Sequence, residues 1–135
     1  MKAQIGMEYI LIFGISLLIA GLIWVYASSD LNETKWELQM SYAKDAVNRI
    51  TEMADMIYIQ GPPAQSYFEV VFPDSIRNTY ISENIVTLEL LWKEGILRNI
   101  SDAASVNISG TLKATQGTHR IMIIANTTKV EIKDG

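Results

Sequence analysis

The chain has 135 residues, no Cys, one His and a formal net charge of −4, and its length allows one compact domain plus an appendage. Without Cys and with a single His, zinc fingers, iron–sulfur clusters, thiol nucleophiles and His-clustered metal sites are excluded. The acidic balance argues against nucleic acid as a partner, because its phosphates need Lys and Arg concentrated on one face. The hydrophobic residues, 49% of the total, are distributed very unevenly.

The first element is an apolar run of nineteen uncharged residues, 9–27. As a helix it would rise about 28 Å, close to the thickness of the hydrocarbon core of a bilayer. Tyr9 lies at one end and Trp24 near the other, where amphipathic rings favour the headgroup level. Lys2 precedes the run and acidic residues follow it, so the positive-inside rule predicts a cytoplasmic N-terminus and places residues 30–135 outside.

Three interpretations of this run are compatible with its composition. A cleavable secretory signal would have a shorter apolar core and a small-x-small cleavage site, whereas residues 27–29 offer only a passable site. A plain membrane anchor is the second interpretation. The third depends on Glu8, because a carboxylate at the edge of hydrocarbon needs a partner or a function unless headgroups simply hydrate it.

The segment in front of the run reads Lys2-Ala3, then Gln4-Ile5-Gly6-Met7-Glu8, then the apolar helix. It resembles the class III signal peptide of archaeal type IV pilin-like proteins, with Gly6 where Ser is common and Ile12 where Leu is common. The resemblance is specific for residues 1 to about 30. It implies that a prepilin peptidase cuts between Ala3 and Gln4 and leaves the apolar helix on the mature protein.

The same resemblance implies the partners and the location of the protein. The partners would be other copies of the chain in a helical homopolymer, the prepilin peptidase, a pilus assembly ATPase and membrane platform proteins. The precursor would reside in the cell membrane, and the mature subunit in an extracellular filament with the apolar helices in its core. There, Glu8 of one subunit would pair with the α-amine that cleavage creates at Gln4 of a neighbour.

Beyond the run, apolar residues recur every three or four positions, which is typical of an amphipathic helix. They are Leu38, Tyr42, Ala43, Ala46, Val47, Ile50, Met53, Ala54 and Ile57. No Pro or Gly interrupts residues 22–60, so residues 5–59 are predicted as one helix of about 80 Å with a soft joint near residues 28–30. Gly61-Pro62-Pro63 should end it, because Pro has no amide proton and disfavours a helical residue before it.

After Pro63 the apolar residues alternate with polar ones, the pattern of half-buried strands. Five such runs lie around residues 67–72, 86–92, 106–113, 120–125 and 130–133. The turn signals between them are Pro73-Asp74, Lys93-Glu94-Gly95, Gln116-Gly117 and Asn126-Thr127. Four to six successive strands predict an antiparallel sheet with one face on the amphipathic helix.

The predicted fold class is therefore α+β, a long N-terminal helix packed on a C-terminal antiparallel β-sheet domain in the manner of a pilin. Residues 1–3 are assigned as a leader peptide and residues 4–29 as the transmembrane or filament-core helix. Residues 30–60 are its amphipathic continuation, and residues 64–135 form the external β domain.

The sequence shows little that supports catalysis. His119, at the start of a strand, is predicted to be a partly exposed surface residue. No Gly-rich loop joins a strand to a helix, and no loop has the density of oxygen ligands that calcium needs. The scattered carboxylates are predicted to be solvated; they include Asp74, Glu83, Glu89, Glu94 and Asp102. We therefore expect no enzymatic activity, no cofactor and no metal.

Four Asn-x-Ser/Thr triplets, the acceptor sequence for N-glycosylation, occur in the chain. Their asparagines are Asn32, Asn99, Asn107 and Asn126. With seven Asn and 19 Ser or Thr among 135 residues, chance would give about one such triplet. The excess favours an external location, and Asn107 is predicted on the polar side of its strand.

These observations predict a structural subunit of an archaeal type IV pilus-like filament, with a role in adhesion or surface attachment. The alternative is a bitopic membrane protein that never polymerises and carries an extracellular β domain for binding or adhesion. A membrane-anchored enzyme is a remote third possibility, because the residues for catalysis are missing.

Overall fold

The computed structural model describes the backbone of residues 2–135 and the side chains of residues 6–29 and 31–135. The chain divides into two compact units, Met1–Glu37 and Leu38–Gly135. In chain order the elements are α1 (Lys2–Gln60), β1 (Gln65–Phe72), β2 (Ile76–Ser82), β3 (Ile85–Leu91), a 3-10 turn (Lys93–Gly95), β4 (Leu97–Ala103), β5 (Ile108–Thr111), β6 (Gly117–Ala125) and β7 (Val130–Asp134). The predicted α+β class is confirmed.

The end of α1 follows the sequence prediction. The helix stops at Gln60, and Gly61 takes the left-handed conformation with φ of 72°, which a residue with a side chain rarely adopts. The amide of Gly61 donates to the carbonyl of Tyr58 at 3.0 Å and closes the last turn. At the expected soft joint, the backbone stays helical through Ser28 and Ser29.

The core of the second unit lies between the C-terminal part of α1 and the strands. The helix buries one face there, made of Ala43, Ala46, Val47, Ile50, Ala54 and Ile57. The predicted apolar stripe is confirmed in its central part, but Leu38 and Tyr42 are each 50% exposed, so the buried face begins only at Ala43.

The strands form two sheets instead of the single predicted sheet. One sheet has the order β1-β6-β7-β5, and the other has the order β2-β3-β4. The inward positions carry the core residues, for example Val86, Leu88 and Leu90 of β3 and Ile121 and Ile123 of β6, all fully buried. All five runs of alternating residues therefore correspond to strands, namely β1, β3, β5, β6 and β7.

Two strands, β2 and β4, were missed because their sequences are polar. β2 reads Ile-Arg-Asn-Thr-Tyr-Ile-Ser and β4 reads Leu-Arg-Asn-Ile-Ser-Asp-Ala, and each lies at an end of the three-stranded sheet. End strands of this kind bury few side chains, so the alternation of apolar residues that reveals a strand is weak in them.

One strand pair departs from the antiparallel arrangement, because β5 runs parallel to β7. In this pair Gly110 lies beside Ile132 with a φ of 135°, and a Cβ atom on Gly110 would come within 2.0 Å of the Ile132 carbonyl oxygen. Glycine is therefore required for this close approach. The turn signals did not predict the crossover, since they identify ends of strands and not their partners.

Polar contacts also join α1 to the β strands within the second unit. The Thr51 hydroxyl donates to the carboxylate of Asp102 on β4. Asp55 accepts a hydrogen bond from the amide of Ser105 at 2.8 Å, just after the same strand. Directional bonds of this kind fix the position of the helix along the strands, which apolar contact alone does not do.

Candidate functional site

The apolar run (residues 9–27) is the first candidate site, because its hydrophobic side chains are exposed along its whole length. Its large hydrophobic side chains are between 51% and 77% exposed. The mean hydropathy reaches 2.5 over the most apolar window, and no residue of that window is buried. The segment is long and apolar enough to cross a membrane, and it is compatible with membrane insertion.

The serine hydroxyl groups in and beside the run find their partners within the helix itself. Ser16 donates to the carbonyl of Ile12 at 2.8 Å. Ser28 and Ser29, directly after the run, donate to carbonyls three residues back, at 2.9 and 3.0 Å. A hydroxyl bonded in this way can enter an apolar environment without an unsatisfied donor, so the run is chemically suited to hydrocarbon.

Glu8 lies on α1 immediately before the run, and its side chain is exposed. It is therefore accessible to another molecule, as the predicted role in assembly requires. Ala3 and Gln4 lie within α1, but their side chains fall outside the described residues. The structure thus gives the position of Glu8 and leaves the cleavage site as a prediction.

Three of the four predicted glycosylation asparagines have exposed side chains. Asn32 on α1, Asn99 on β4 and Asn107 are exposed, and Asn126 is half-buried in the turn between β6 and β7. Asn107 directly precedes β5 and does not lie within a strand, because that strand begins at Ile108. Its carbonyl accepts a hydrogen bond from Val130 at 2.8 Å, so its backbone is held while its side chain faces solvent.

His119 on β6 contradicts the prediction of a partly exposed surface residue. Its side chain is 8% exposed and that of Asp134 is 2% exposed. The Nδ1 atom of His119 lies 2.9 Å from the Asp134 carboxylate, and the ring lies against Phe72 with centroids 4.6 Å apart. Antiparallel pairing of β6 with β7 brings these residues together, and no local motif in the sequence reveals it.

This cluster has the outline of a nucleophilic triad, because the Thr115 hydroxyl lies 3.1 Å from Nε2 of His119. However, the carbonyl oxygen of Thr115 is only 2.8 Å from the same nitrogen. Both the hydroxyl and the carbonyl of Thr115 thus face Nε2 while the Asp134 carboxylate faces Nδ1, so polar groups of the same domain enclose the ring on both sides. The arrangement therefore acts as a buried polar clamp between β6, β7 and the segment before β6.

The other carboxylates do not converge on one place. Asp102, predicted to be solvated, is half-buried and bound to Thr51, so that expectation is wrong for this residue. Among the residues whose side chains are described, no group of three or more His, Asp or Glu could hold a metal ion. A shallow pocket of about 460 Å³ on the four-stranded sheet is lined by Tyr67, Arg120, Met122, Lys133 and Gly135. It presents no acid–base pair.

Comparisons of the chain with protein-family models, with curated protein sequences and with solved structures give no match.

Proposed function

We propose that this chain is a structural subunit of an archaeal type IV pilus-like surface filament. In this proposal a prepilin peptidase removes residues 1–3, and the subunits polymerise through the apolar run with the help of an assembly ATPase and membrane platform proteins. The β domain forms the outer surface and serves adhesion or surface attachment. The precursor lies in the cell membrane with its N-terminus in the cytoplasm, and the filament is extracellular.

The observation that carries the proposal is an exposed apolar helix whose serine hydroxyl groups form hydrogen bonds within the helix. Such a helix requires an apolar environment on all sides, because it has no polar face to turn towards water. Lipid supplies that environment before assembly, and neighbouring copies of the same helix supply it inside a filament. The resemblance of residues 1 to about 30 to class III signal peptides favours the second destination.

The proposed assembly contact uses Glu8. Cleavage before Gln4 creates an α-amine four residues from this carboxylate. In surroundings that exclude water, the amine of one subunit and the carboxylate of its neighbour compensate each other's charge. Cyclisation of an N-terminal Gln removes that charge, and Glu8 then requires a proton or another partner.

The decisive experiment is intact and N-terminal mass spectrometry of the mature protein, combined with electron microscopy of the cell surface. We expect a mature chain that begins at Gln4 and filaments that contain it. Replacement of Lys2 with Glu should slow processing, because the basic residue holds the site on the cytoplasmic side. A mature protein beginning at Met1, or at Ser28 or beyond, would contradict the proposal.

The alternative is a bitopic membrane protein whose β domain binds or adheres without polymerisation. The same apolar run supports it, since a segment of this length and hydropathy is sufficient as an anchor. A plain anchor has no reason to lose three residues, so processing before Gln4 separates the two candidates.

If the β domain lies outside the cell, the native protein should carry glycans that increase its mass. Protein from its native source should be heavier than its sequence by one or more glycans, with Asn107 as the expected carrier because it is exposed and next to a held backbone. Replacement of Asn107 with Gln should remove that increment in an intact-mass measurement. An unmodified mass would argue against glycosylation and leave the filament proposal standing.

A further inference from the structure

Two end strands of the sheets, β1 and β4, each have an edge at which another molecule could bind. β1 ends the four-stranded sheet and β4 ends the three-stranded sheet. The remaining ends, β5 and β2, lie beside each other, since the amide of Ile108 donates to the carbonyl of Glu83 at 2.6 Å and Thr79 donates to Leu112 at 2.7 Å. The open backbone edges of the β domain are therefore those of β1 and β4.

The edge at β4 carries features that oppose pairing with another strand. Asp102 points inward to Thr51 of α1, and inward-facing charges on an end strand disfavour addition of a partner. Arg98 places its guanidinium 4.9 Å from the centre of the Trp92 ring. Asn99, in the middle of the strand, belongs to one of the glycosylation triplets.

The edge at β1 has no inward-facing charge and no glycosylation triplet. Its eight residues, Gln-Ser-Tyr-Phe-Glu-Val-Val-Phe, contain no Pro, no Lys and no Arg. Aromatic and β-branched residues dominate, and the one charge, Glu69, faces solvent. A long apolar end strand without protection is a place where a further strand adds.

The register of β1 with β6 shows which backbone groups of β1 are free to pair with a further strand. The amide of Ala125 donates to the carbonyl of Ala64 at 2.9 Å, which sets the phase of the β1–β6 ladder. In an antiparallel pair alternate residues face the partner strand, so Tyr67, Glu69 and Val71 direct their N–H and C=O groups away from β6. In the described part of the chain, no other backbone hydrogen bond reaches β1.

We propose that β1 pairs antiparallel with β1 of a second copy of this chain, in a register that places Tyr67 of each copy opposite Glu69 of the other. Only registers that match outward-facing residues with each other form the ladder. A register centred on Glu69 would oppose two carboxylates. The proposed register, centred on Phe68, uses every outward-facing residue from Gln65 to Val71.

Charge complementarity supports a second copy as the occupant. Arg120 lies directly opposite Glu69 in the register, yet its guanidinium lies 5.0 Å from the centre of the Tyr67 ring. In the proposed pairing, Glu69 of the second copy comes beside that same ring and approaches the guanidinium. Two symmetric contacts of this kind form across the joined strands.

The pairing is self-complementary, so it closes at two copies and forms no open chain. It is independent of the proposed filament contact, which uses Glu8 and the apolar run. A dimer of this kind can thus be present or absent whatever the outcome for filament assembly.

The test uses the full chain in detergent micelles and measures its dissociation constant by analytical ultracentrifugation. Glu69→Lys should raise the dissociation constant about tenfold, because like charges then oppose each other at both contacts. The combined variant Glu69→Lys with Arg120→Glu should restore it. The control is Glu52→Lys, which makes the same charge change at an exposed position of α1 and should have no effect. Thermal unfolding of each variant verifies that the domain stays folded.

Amide hydrogen exchange provides the second measurement. The amides of Tyr67, Glu69 and Val71 should become protected as the protein concentration rises, whereas those of Phe68 and Val70 should be protected at all concentrations. The proposal would be overturned if the chain is monomeric. It would also be overturned by a dimer whose dissociation constant is unchanged in Glu69→Lys and whose three amides stay unprotected. Protection that appears only when a different protein is added would assign the edge to that partner and overturn it equally.

Discussion

The two parts of α1 have the same backbone conformation and opposite surroundings. Along the apolar run, hydrophobic side chains occur all round the helix and are exposed. Between Ala43 and Ile57 six of them lie on one face and are buried in the core, while Met56 is exposed and Lys44, Asp45 and Arg49 meet solvent. The less hydrophobic part is therefore the one that belongs to the domain core.

This difference shows that the arrangement of hydrophobic residues around a helix, more than their number, decides whether the helix is buried in its own domain. A helix with one apolar face covers that face with its own domain and keeps its polar face in water. A helix that is apolar on all sides has no face that favours water, and the exposed side chains of the run are compatible with insertion into a membrane.

The largest effect should follow removal of the apolar run. Deletion of residues 1–29 should convert a detergent-dependent protein into a soluble monomer or dimer, because the core residues from Ala43 onward remain complete. Circular dichroism during heating should show one cooperative transition. An insoluble product, or one without such a transition, would mean that the run contributes to the fold of the domain.

The next largest effect should come from Glu8, if the filament proposal holds. Glu8→Ala should abolish or strongly reduce filaments, since loss of one partner from a buried charge pair costs about 3–5 kcal/mol. Insertion should persist because the helix becomes more apolar, and the thermal midpoint of the β domain should not move. Filaments are counted by electron microscopy, with Glu37→Ala, an exposed carboxylate beyond the run, as the control. Normal filament numbers from processed Glu8→Ala subunits would contradict the mechanism.

One substitution made in both parts of α1 tests the comparison directly. Ile50 is fully buried and Ile15 is 52% exposed. Ile50→Ala should lower the free energy of unfolding of the β domain by about 2–5 kcal/mol, because it removes buried methyl groups and leaves a cavity. Ile15→Ala should leave that free energy unchanged. Chemical denaturation in detergent measures both, and equal losses would refute the division between the two parts.

The smallest effects distinguish two polar contacts of the β domain, His119 with Asp134 and Lys133 with Glu131. His119→Ala should lower the free energy of unfolding by about 1–3 kcal/mol, because it leaves the buried Asp134 carboxylate without the ring that faces it. The Lys133–Glu131 pair, at 3.3 Å and with Lys133 55% exposed, should contribute about 0–1 kcal/mol, measured as the loss in Lys133→Ala. Similar losses for both would show that the clamp around His119 is not a structural element.

Local patterns in the β domain were reliable only where a strand buries a face. The alternation in β1, β3 and β6 predicted real strands, because their inward residues fill the core. β2 and β4 lie at the ends of a sheet and bury little, so their polar sequences resemble loops. Sequence alone likewise missed the burial of His119 and Asp102, since each meets a partner that is distant along the chain.

The sequence by itself determined the elements that depend on near neighbours. Continuous apolar composition marked the run of residues 9–27, a three-to-four spacing marked the buried face of α1, and Gly61-Pro62-Pro63 marked its end. Each of these features depends on residues that are close together in the sequence, so a short stretch of sequence is enough to predict it.

Only the tertiary structure decided the division into two sheets, the parallel pair of β5 and β7, the clamp around His119 and the open edge of β1. All four depend on which strand lies beside which, and several strands here have the alternation needed to pair with any of the others. The choice among them comes from the packing of the whole domain against α1 and from close approaches such as that of Gly110 to Ile132, which no segment encodes alone.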